Sequence, residues 1–435
     1  MSETRRARAF APHPLRERVL NEIHARPFQV MRPPRVILHY AFMTDGAAGD
    51  AALEALTERC LRLGVRPPAH GDRHHIVEIG DARLRFEVHT EFTTYSVDAP
   101  RPADGTLPDA CCDFFYRDFE APGPMIVATR LDLVTDSRPI EEVVAGFDSG
   151  SVSVSAFRDE RAIGVTDFRS DADGLTRFTI IDRGLLPYEI GPMVQRIVEV
   201  ETYRTLALLG LPEAQRLQPV IAEVERGLLG ATGHIGESVD ITANRALLDE
   251  LTELAGRLET EAAATAYRFG ATRAYAEIVR LRLTSLREGP VPEHSRWSSF
   301  LNRRMAPALS TCATAERRMA DLSDRLSRAA NLLRTRIEVE LEQQNRELLA
   351  SMNSRARMQL RLQQTVEGLS VAAVSYYVVG LIGYVAKSAG EVMRLPDPAM
   401  ITGLAVLPVA LVIWLLVRRI RAAHGGDDEP GGKDR

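Results

Sequence analysis

The sequence predicts an α+β (or α/β) cytoplasmic head, a long α-helical stalk and a C-terminal hairpin of two transmembrane helices. Three observations predict this fold class. Strand patterns dominate up to about residue 182, helical patterns dominate from Pro187 onward, and two uncharged apolar runs lie near the C-terminus. The runs are residues 368–386 and 399–417, each of 19 residues. Each would be roughly 29 Å long as a helix, which matches the hydrocarbon core of a bilayer.

Residues 1–184 are predicted to form the head, with an extended N-terminal arm over the Pro- and Arg-rich residues 1–35. Helical patterns occur at residues 51–63 and 139–146. Strand patterns, each bounded by turn-forming residues, occur at residues 36–42, 76–79, 83–97, 125–134, 151–157, 162–168 and 175–181. The run from residue 83 alternates polar and apolar positions, which predicts one polar face made of Arg83, Arg85, Glu87, His89 and Glu91.

Residues 185–308 are predicted to be a helical region. Its expected helices are residues 189–209, 212–230 and 246–286, followed by another from Glu293. A helix over 246–286 that is broken near Gly270 is the alternative to a continuous one. Pro212 suits the first turn of its helix, where a missing N–H costs nothing. The pair Gly289-Pro290 is typical of a stop and restart.

Residues 309–366 contain neither Gly nor Pro and are predicted to form a long stalk helix. Its apolar residues align at offsets of 11 better than at offsets of 7, as in Leu326, Ile337 and Leu348. A period of 11 fits a nearly straight or slightly right-handed bundle. The helix enters the first apolar run without a breaker, which gives about 115 Å of continuous helix. We expect parallel contacts between subunits; a helix folded back on its own head is the alternative.

The flanks of the hairpin, 367–417, indicate its orientation. Three arginines precede the first span and three follow the second, whereas the connecting loop has only Lys387 and Arg394 as basic residues. Basic residues favour the cytoplasmic side. We therefore expect a bacterial inner (cytoplasmic) membrane protein with both termini in the cytoplasm and a basic, then disordered, tail over residues 418–435.

Composition and motifs argue against several classes of function. A net charge of −5 gives no basic excess for nucleic acid. The four cysteines lack metal-site spacing, and we predict no cofactor. The chain has no P-loop, no nucleophile elbow and no HExxH motif, which argues against an enzyme. Within the head, His24, Arg26 and His89 are candidates for contacting a phosphate or for acid–base work. The alternative for His24 and Arg26 is that they pin the N-terminal arm to the head.

Several stretches resemble a bacterial family of membrane-anchored proteins of unknown function over almost the whole chain. They are Asn21–Pro27, Glu201–Pro212 and Gln363–Tyr377. The order of parts is also similar to that of the CorA-type divalent-cation transporters, which are pentameric funnels. That second resemblance implies a homo-oligomer with a small ion as its substrate. The transporters carry Gly-Met-Asn at the outer end of the first span, and here the equivalent stretch, Gly380–Lys387, lacks it. The departure puts ion selectivity in doubt.

The first span has a distinctive stripe at i, i+4, i+8 and i+11, formed by Ala372, Tyr376, Gly380 and Gly383. Small residues let helices approach closely in lipid. The stripe predicts either a pore or subunit interface, or packing against the second span of the same subunit. In an oligomer, Lys387 would form a positive ring near the outer mouth and repel cations. The leading hypothesis is an oligomeric membrane protein of CorA-like layout that conducts an ion. The alternatives are a membrane-anchored scaffold or sensor, and a tethered enzyme that uses the head candidates.

Overall fold

The computed structural model describes residues 13–17, 19–20, 29–69, 71–117, 119–135, 138–235, 240–390 and 397–424. The fold class is mixed α+β, as predicted. The chain divides into two compact units. Unit 1 comprises Met1–Ser238 and Ala246–Asn331, and unit 2 comprises Val239–Arg245 and Leu332–Arg435. The domain boundaries expected from the sequence remain predictions.

Unit 1 is built on a nine-stranded sheet with the order β2-β3-β4-β1-β5-β8-β7-β6-β9. β5 and β8 pair in parallel, and the other paired strands are antiparallel. β1 is apolar along nearly its whole length because both of its faces are covered. The strands are β1 (Arg35–Met43), β2 (His74–Ile79), β3 (Ala82–Val88), β4 (Phe92–Pro100), β5 (Met125–Val134), β6 (Ser153–Phe157), β7 (Ala162–Ser170), β8 (Thr176–Asp182) and β9 (Glu288–Pro290).

Eight helices complete the elements assigned within the described residues. They are α1 (Gly46–Leu63), α2 (Asp109–Phe115), α3 (Ile140–Val144), α4 (Pro187–Leu208), α5 (Gly210–Ile235), α6 (Ile241–Ser285), α7 (Trp297–Gly390) and α8 (Pro398–His424). α6 runs unbroken through Gly270. The helix stops before Gly289-Pro290, as expected, but these residues form the short edge strand β9, which the sequence did not predict. The sequence did not predict α2 either.

The two faces of the sheet carry separate hydrophobic cores. On one face, strand residues such as Leu38, Phe86 and Tyr95 pack with residues of α1 and α2. On the other face, strand residues such as Leu131 and Phe178 pack with α4, α6 and the start of α7. The second core therefore joins the sheet to the beginning of the longest helix.

Trp297, the first residue of α7, is fully buried in that second core. Its backbone N–H donates to Ser155 Oγ over 3.0 Å, and its indole Nε1–H donates to the carbonyl of Ser153 over 3.1 Å. Ser155 Oγ in turn donates to Glu288 Oε1 over 2.6 Å. The Glu288 carboxylate also accepts from the backbone N–H of Ser298. Orphan donors at the helix start are thus satisfied by β6 and β9.

Side-chain burial along α7 changes near Ile337. Leu326 is fully buried and Ile337 is 8% exposed, so the first half of the 11-residue series packs inside the chain. Arg318 of α7 donates to Glu225 of α5 over 2.8 Å, which ties two of the helices of unit 1 together. From residue 341 to residue 366 every residue is exposed, including Leu348 at 60%.

Helices α7 and α8 each contain a stretch that is long and apolar enough to cross a membrane. In both, only 6% of the most apolar 18-residue window is buried inside the chain. Apolar side chains that are not covered by protein need another apolar surrounding. By length and composition, this finding supports the two apolar spans that the sequence predicts.

The Trp297 contacts generate a prediction about stability. Trp297→Ala should destabilise unit 1 by about 3–5 kcal/mol, because it empties a fully buried indole site and removes a hydrogen bond to the sheet. Thermal unfolding of the detergent-solubilised protein, followed by circular dichroism, measures the effect. Trp414→Ala is the matched control, because Trp414 is 47% exposed on α8. An equal shift for both variants would contradict the anchoring role of Trp297.

Candidate functional site

A polar face of the sheet lies under helix α4. Because side chains alternate along a strand, Arg83, Arg85 and Glu87 of β3 share one face. The strand register pairs them with residues of β4, and Ser96 of β4 is also paired with His39 of β1. The sequence predicted this face from Arg83 to Glu91 on a single strand at residues 83–97, and it predicted a helix at residues 189–209, but not that this helix covers the face. In the structure β3 ends at Val88 and β4 begins at Phe92, so His89 and Glu91 lie in the connection between the two strands. Polar residues of α4 complete the layer: Gln195, Glu199 and Thr202.

A cavity of about 70 Å³ lies between this sheet face and α4. Charged side chains from the sheet and from α4 line it, together with the aliphatic side chains of Met31, Ile37, Val194 and Val198. Arg83 also lines the cavity, and its side chain is 30% exposed, so the rim reaches solvent. Convergent polar groups beside apolar side chains are typical of a small-molecule site, although this cavity is well below the roughly 300–1,000 Å³ of pockets for drug-sized ligands.

His39 is a neutral hydrogen-bonded side chain of this layer. Thr202 Oγ1 donates to the carbonyl of Val198 over 2.9 Å, so it accepts from His39 Nε2–H over 3.0 Å. His39 Nδ1 then accepts from the Ser96 hydroxyl over 2.7 Å. Burial lowers the pKa of His39 to about 3. The ring therefore links β1, β4 and α4 without carrying a charge at neutral pH.

The amide of Gln195 lies between a cation and an anion of the cavity. Its Oε1 accepts from the Arg85 guanidinium over 2.8 Å, and its Nε2 donates to Glu199 Oε1 over 2.9 Å. Burial lowers the pKa of Arg85, because a charge loses hydration there. Glu199 also forms an ion pair with Arg282 of α6. The Gln195 amide thus bridges the Arg85 guanidinium of β3 and the Glu199 carboxylate of α4.

Asp98 and Glu87, the other two acidic groups of the cavity, have basic neighbours. Asp98 pairs with Arg35 of β1, while burial raises the pKa of its carboxyl. Glu87 lies between His74 Nε2 at 3.7 Å and His89 Nε2 at 3.4 Å. Buried carboxylates are tolerated when such partners are present.

The predicted head candidates do not all fall in this site. His89 follows β3, contacts Glu87 and stacks on Phe92 with ring centroids 4.2 Å apart. His24 and Arg26 lie outside the described residues, so their roles remain predictions. Among the described residues, no group of three or more His, Cys, Asp or Glu side chains is arranged to hold a metal ion.

Gly191 of α4 brings the segment that precedes β1 against the cavity. A Cβ at this position would lie 1.8 Å from the carbonyl oxygen of Gln29. The backbone N–H of Met31 donates to the carbonyl of Pro187 over 3.1 Å, which fixes the same crossing. Sequence reasoning missed Gly191, although a glycine inside a predicted helix costs about 1 kcal/mol relative to alanine and signals a close approach. It also missed His39, whose signal is one histidine in an apolar strand.

The small-residue stripe of the first apolar span divides into two parts. A Cβ at Gly383 would lie 3.1 Å from Thr402 Oγ1, so Gly383 faces α8. Ala372, Tyr376 and Gly380 are exposed, and a Cβ at Gly380 would meet no atom within 4 Å. Lys387 is exposed as well.

The fold and the cavity define an α+β protein with a small polar site and two apolar helices. The chain belongs to the family described as protein of unknown function (DUF3422), whose family model matches residues 11–424. This match confirms the family resemblance predicted from the sequence. No curated protein and no solved structure matches the chain.

The state of His39 predicts a pH dependence. The unfolded chain takes up a proton on His39 near pH 6.5, whereas the folded protein takes it up only near pH 3. Stability should therefore fall as the pH drops from 6.5 towards 3, by up to about 1.4 kcal/mol per pH unit. His39→Gln keeps hydrogen-bonding capacity but cannot titrate, so its thermal midpoint should depend less on pH between 7.5 and 5. His234→Gln, at an exposed site, is the control, and equal slopes for wild type and His39→Gln would refute the assignment.

Proposed function

We propose that this protein is an integral protein of the bacterial inner membrane that assembles through α7 into a parallel homo-oligomer and conducts a small ion. The observation that carries the proposal is the continuity of α7. The helix begins at the buried Trp297 and continues without interruption to Gly390, through its apolar stretch. An inert tether does not need such continuity, whereas a protein that transmits displacement from head to membrane does.

The exposed middle of α7 supports assembly. Leu348, Met352, Leu362 and Val366 are each at least 57% exposed. Most helix stability comes from packing an apolar face, so a long bare helix gains from a partner. The bilayer would orient every copy in the same direction, and the 11-residue apolar spacing suits parallel, nearly straight helices. A second copy of this chain is therefore the partner that we propose.

The apolar span of α7 supports the same assembly. Gly383 faces α8 within the chain, whereas Ala372, Tyr376 and Gly380 present an uncovered stripe. Small residues in lipid permit close packing between helices. A ring of these stripes would surround an axial path. The excess of arginine on the outer flanks places both termini in the cytoplasm in this proposal.

A membrane-anchored sensor or scaffold is the second candidate. The small polar cavity in unit 1 favours it, because binding a ligand there requires no transport. The absence of Gly-Met-Asn favours it too. Subunit number does not separate the two candidates, since a sensor can also be oligomeric. Ion flux through reconstituted protein does.

The assembly proposal predicts a position-dependent effect along α7. Leu348→Asp combined with Met352→Asp should lower the subunit number, because charge would enter the proposed helix seam. Ala350→Asp lies on the opposite side of the helix, is also exposed, and should leave assembly intact. Mass photometry of protein in nanodiscs counts the subunits, and circular dichroism checks the fold. A wild-type monomer, or a double variant that assembles normally, would defeat the proposal.

Lys387 provides the test of orientation and conduction. Lys387→Cys should react with a membrane-impermeant maleimide on spheroplasts with an intact inner membrane, because both termini are proposed to be inside. Lys387→Glu should raise cation permeability by replacing a positive ring with a negative one. Vesicles loaded with Mg²⁺- or K⁺-sensitive dye report the flux, with Lys387→Gln as the neutral intermediate. If all three proteins are as tight as empty vesicles, conduction is excluded and the anchored sensor replaces it.

A further inference from the structure

The cavity of unit 1 mixes both signs of charge within a small space. Arg83 and Arg85 contribute positive charge, and Glu87, Asp98 and Glu199 contribute negative charge. Arginines from outside the lining add positive charge next to two of these carboxylates, Arg35 at Asp98 and Arg282 at Glu199. Glu78 pairs with Arg83 over 3.0 Å, but the Glu78 side chain is 72% exposed, and that of Arg282 is 40% exposed. Without these two exposed side chains, three arginines and three carboxylates remain, so the layer is close to neutral.

A nearly neutral layer that is largely, though not fully, shielded from water selects against ions of a single sign. A ligand with net charge would leave that charge uncompensated where hydration is poor, at a large free-energy cost. A ligand with both an anionic and a cationic group keeps the site neutral and interacts with both kinds of side chain. The charge pattern therefore favours a zwitterion over a simple anion or cation.

The amide of Gln195 shows that such a pair of groups fits between the charges. Its acceptor end meets Arg85, and its donor end meets Glu199, at 2.8 and 2.9 Å. An α-amino acid also presents an acceptor beside a donor, because its carboxylate and ammonium groups are attached through adjacent carbons, one bond further apart than the oxygen and nitrogen of an amide. Charge-assisted hydrogen bonds of this kind are stronger than those of a neutral amide.

The apolar residues of the lining limit the remainder of the ligand. They are Val194 and Val198 of α4, Ile37 of β1, and Met31, which precedes β1. Their side chains offer no hydrogen bonds, and a cavity of about 70 Å³ leaves little room. This part of the lining therefore suits hydrogen or a short aliphatic group, and excludes a large or charged side chain.

We propose that this cavity binds a small α-amino acid or a closely similar zwitterion. Its carboxylate lies on Arg85, its ammonium group faces Glu199, and its short side chain contacts Val194 and Val198. Gln195 moves aside or bridges the bound molecule. The inference does not depend on assembly or conduction, because every residue involved belongs to unit 1.

Binding is tested on the full-length protein in nanodiscs by calorimetry and thermal shift. The probes are glycine, L-alanine and L-serine, with acetate and methylammonium as single-charge controls at the same concentration and ionic strength. At least one amino acid should bind saturably and raise the midpoint of the unit 1 transition, and neither control should. Equal stabilisation by acetate or by methylammonium would replace the zwitterion site with an anion or a cation site. Binding of none of the five probes would overturn the proposal.

Variants locate the bound molecule. Arg85→Gln should weaken amino acid binding at least tenfold, because it removes the group that contacts the carboxylate. Val194→Phe should abolish binding by filling the cavity without changing any charge. Arg117→Gln is the control, because that arginine is exposed and makes only a surface ion pair with Asp113 in α2. Wild-type affinity in Val194→Phe would place the bound molecule elsewhere and refute the cavity, even if Arg85→Gln failed to fold.

Discussion

The burial of Trp297 is the constraint on which the rest of the structure depends. The indole lies in the core between the sheet and α4, and its backbone and ring N–H groups donate to β6. The Glu288 carboxylate accepts hydrogen bonds from the Ser155 hydroxyl and from the backbone N–H of Ser298, so β9 is linked to β6 and to the start of α7. These contacts fix the start of α7, and because α7 is uninterrupted, later residues of the same helix form the first apolar span.

The polar cavity follows from the way in which α4 covers the sheet. Buried polar groups must find partners, and His39, Arg85 and Glu199 find theirs in hydroxyls, an amide and an arginine. The same helix contributes its apolar residues to the core that holds Trp297. A ligand that contacts α4 would therefore contact a helix that also packs against the start of α7.

Helix α7 has one continuous apolar pattern, but the surroundings of its apolar side chains differ between its two halves. Up to Ile337 its apolar series is buried within the chain, and from residue 341 the series is exposed. The period of 11 residues does not change at that point, so periodicity alone does not reveal which partner covers the seam. In the proposed parallel assembly, other copies of α7 would cover the exposed apolar residues, as other parts of the same chain already cover the buried ones.

The sequence by itself determined the elements whose signals are local. Period and length placed β5 at residues 125–134, and the lack of charge over residues 368–386 and 399–417 indicated the two apolar spans. Only the tertiary structure decided which elements meet. It brought the Gln195 amide between Arg85 and Glu199. It placed Gly383, but not Gly380, against α8. It buried Leu326 and left Leu348 exposed. These outcomes depend on contacts between residues distant in sequence, and a local pattern carries no information about the partner that completes it.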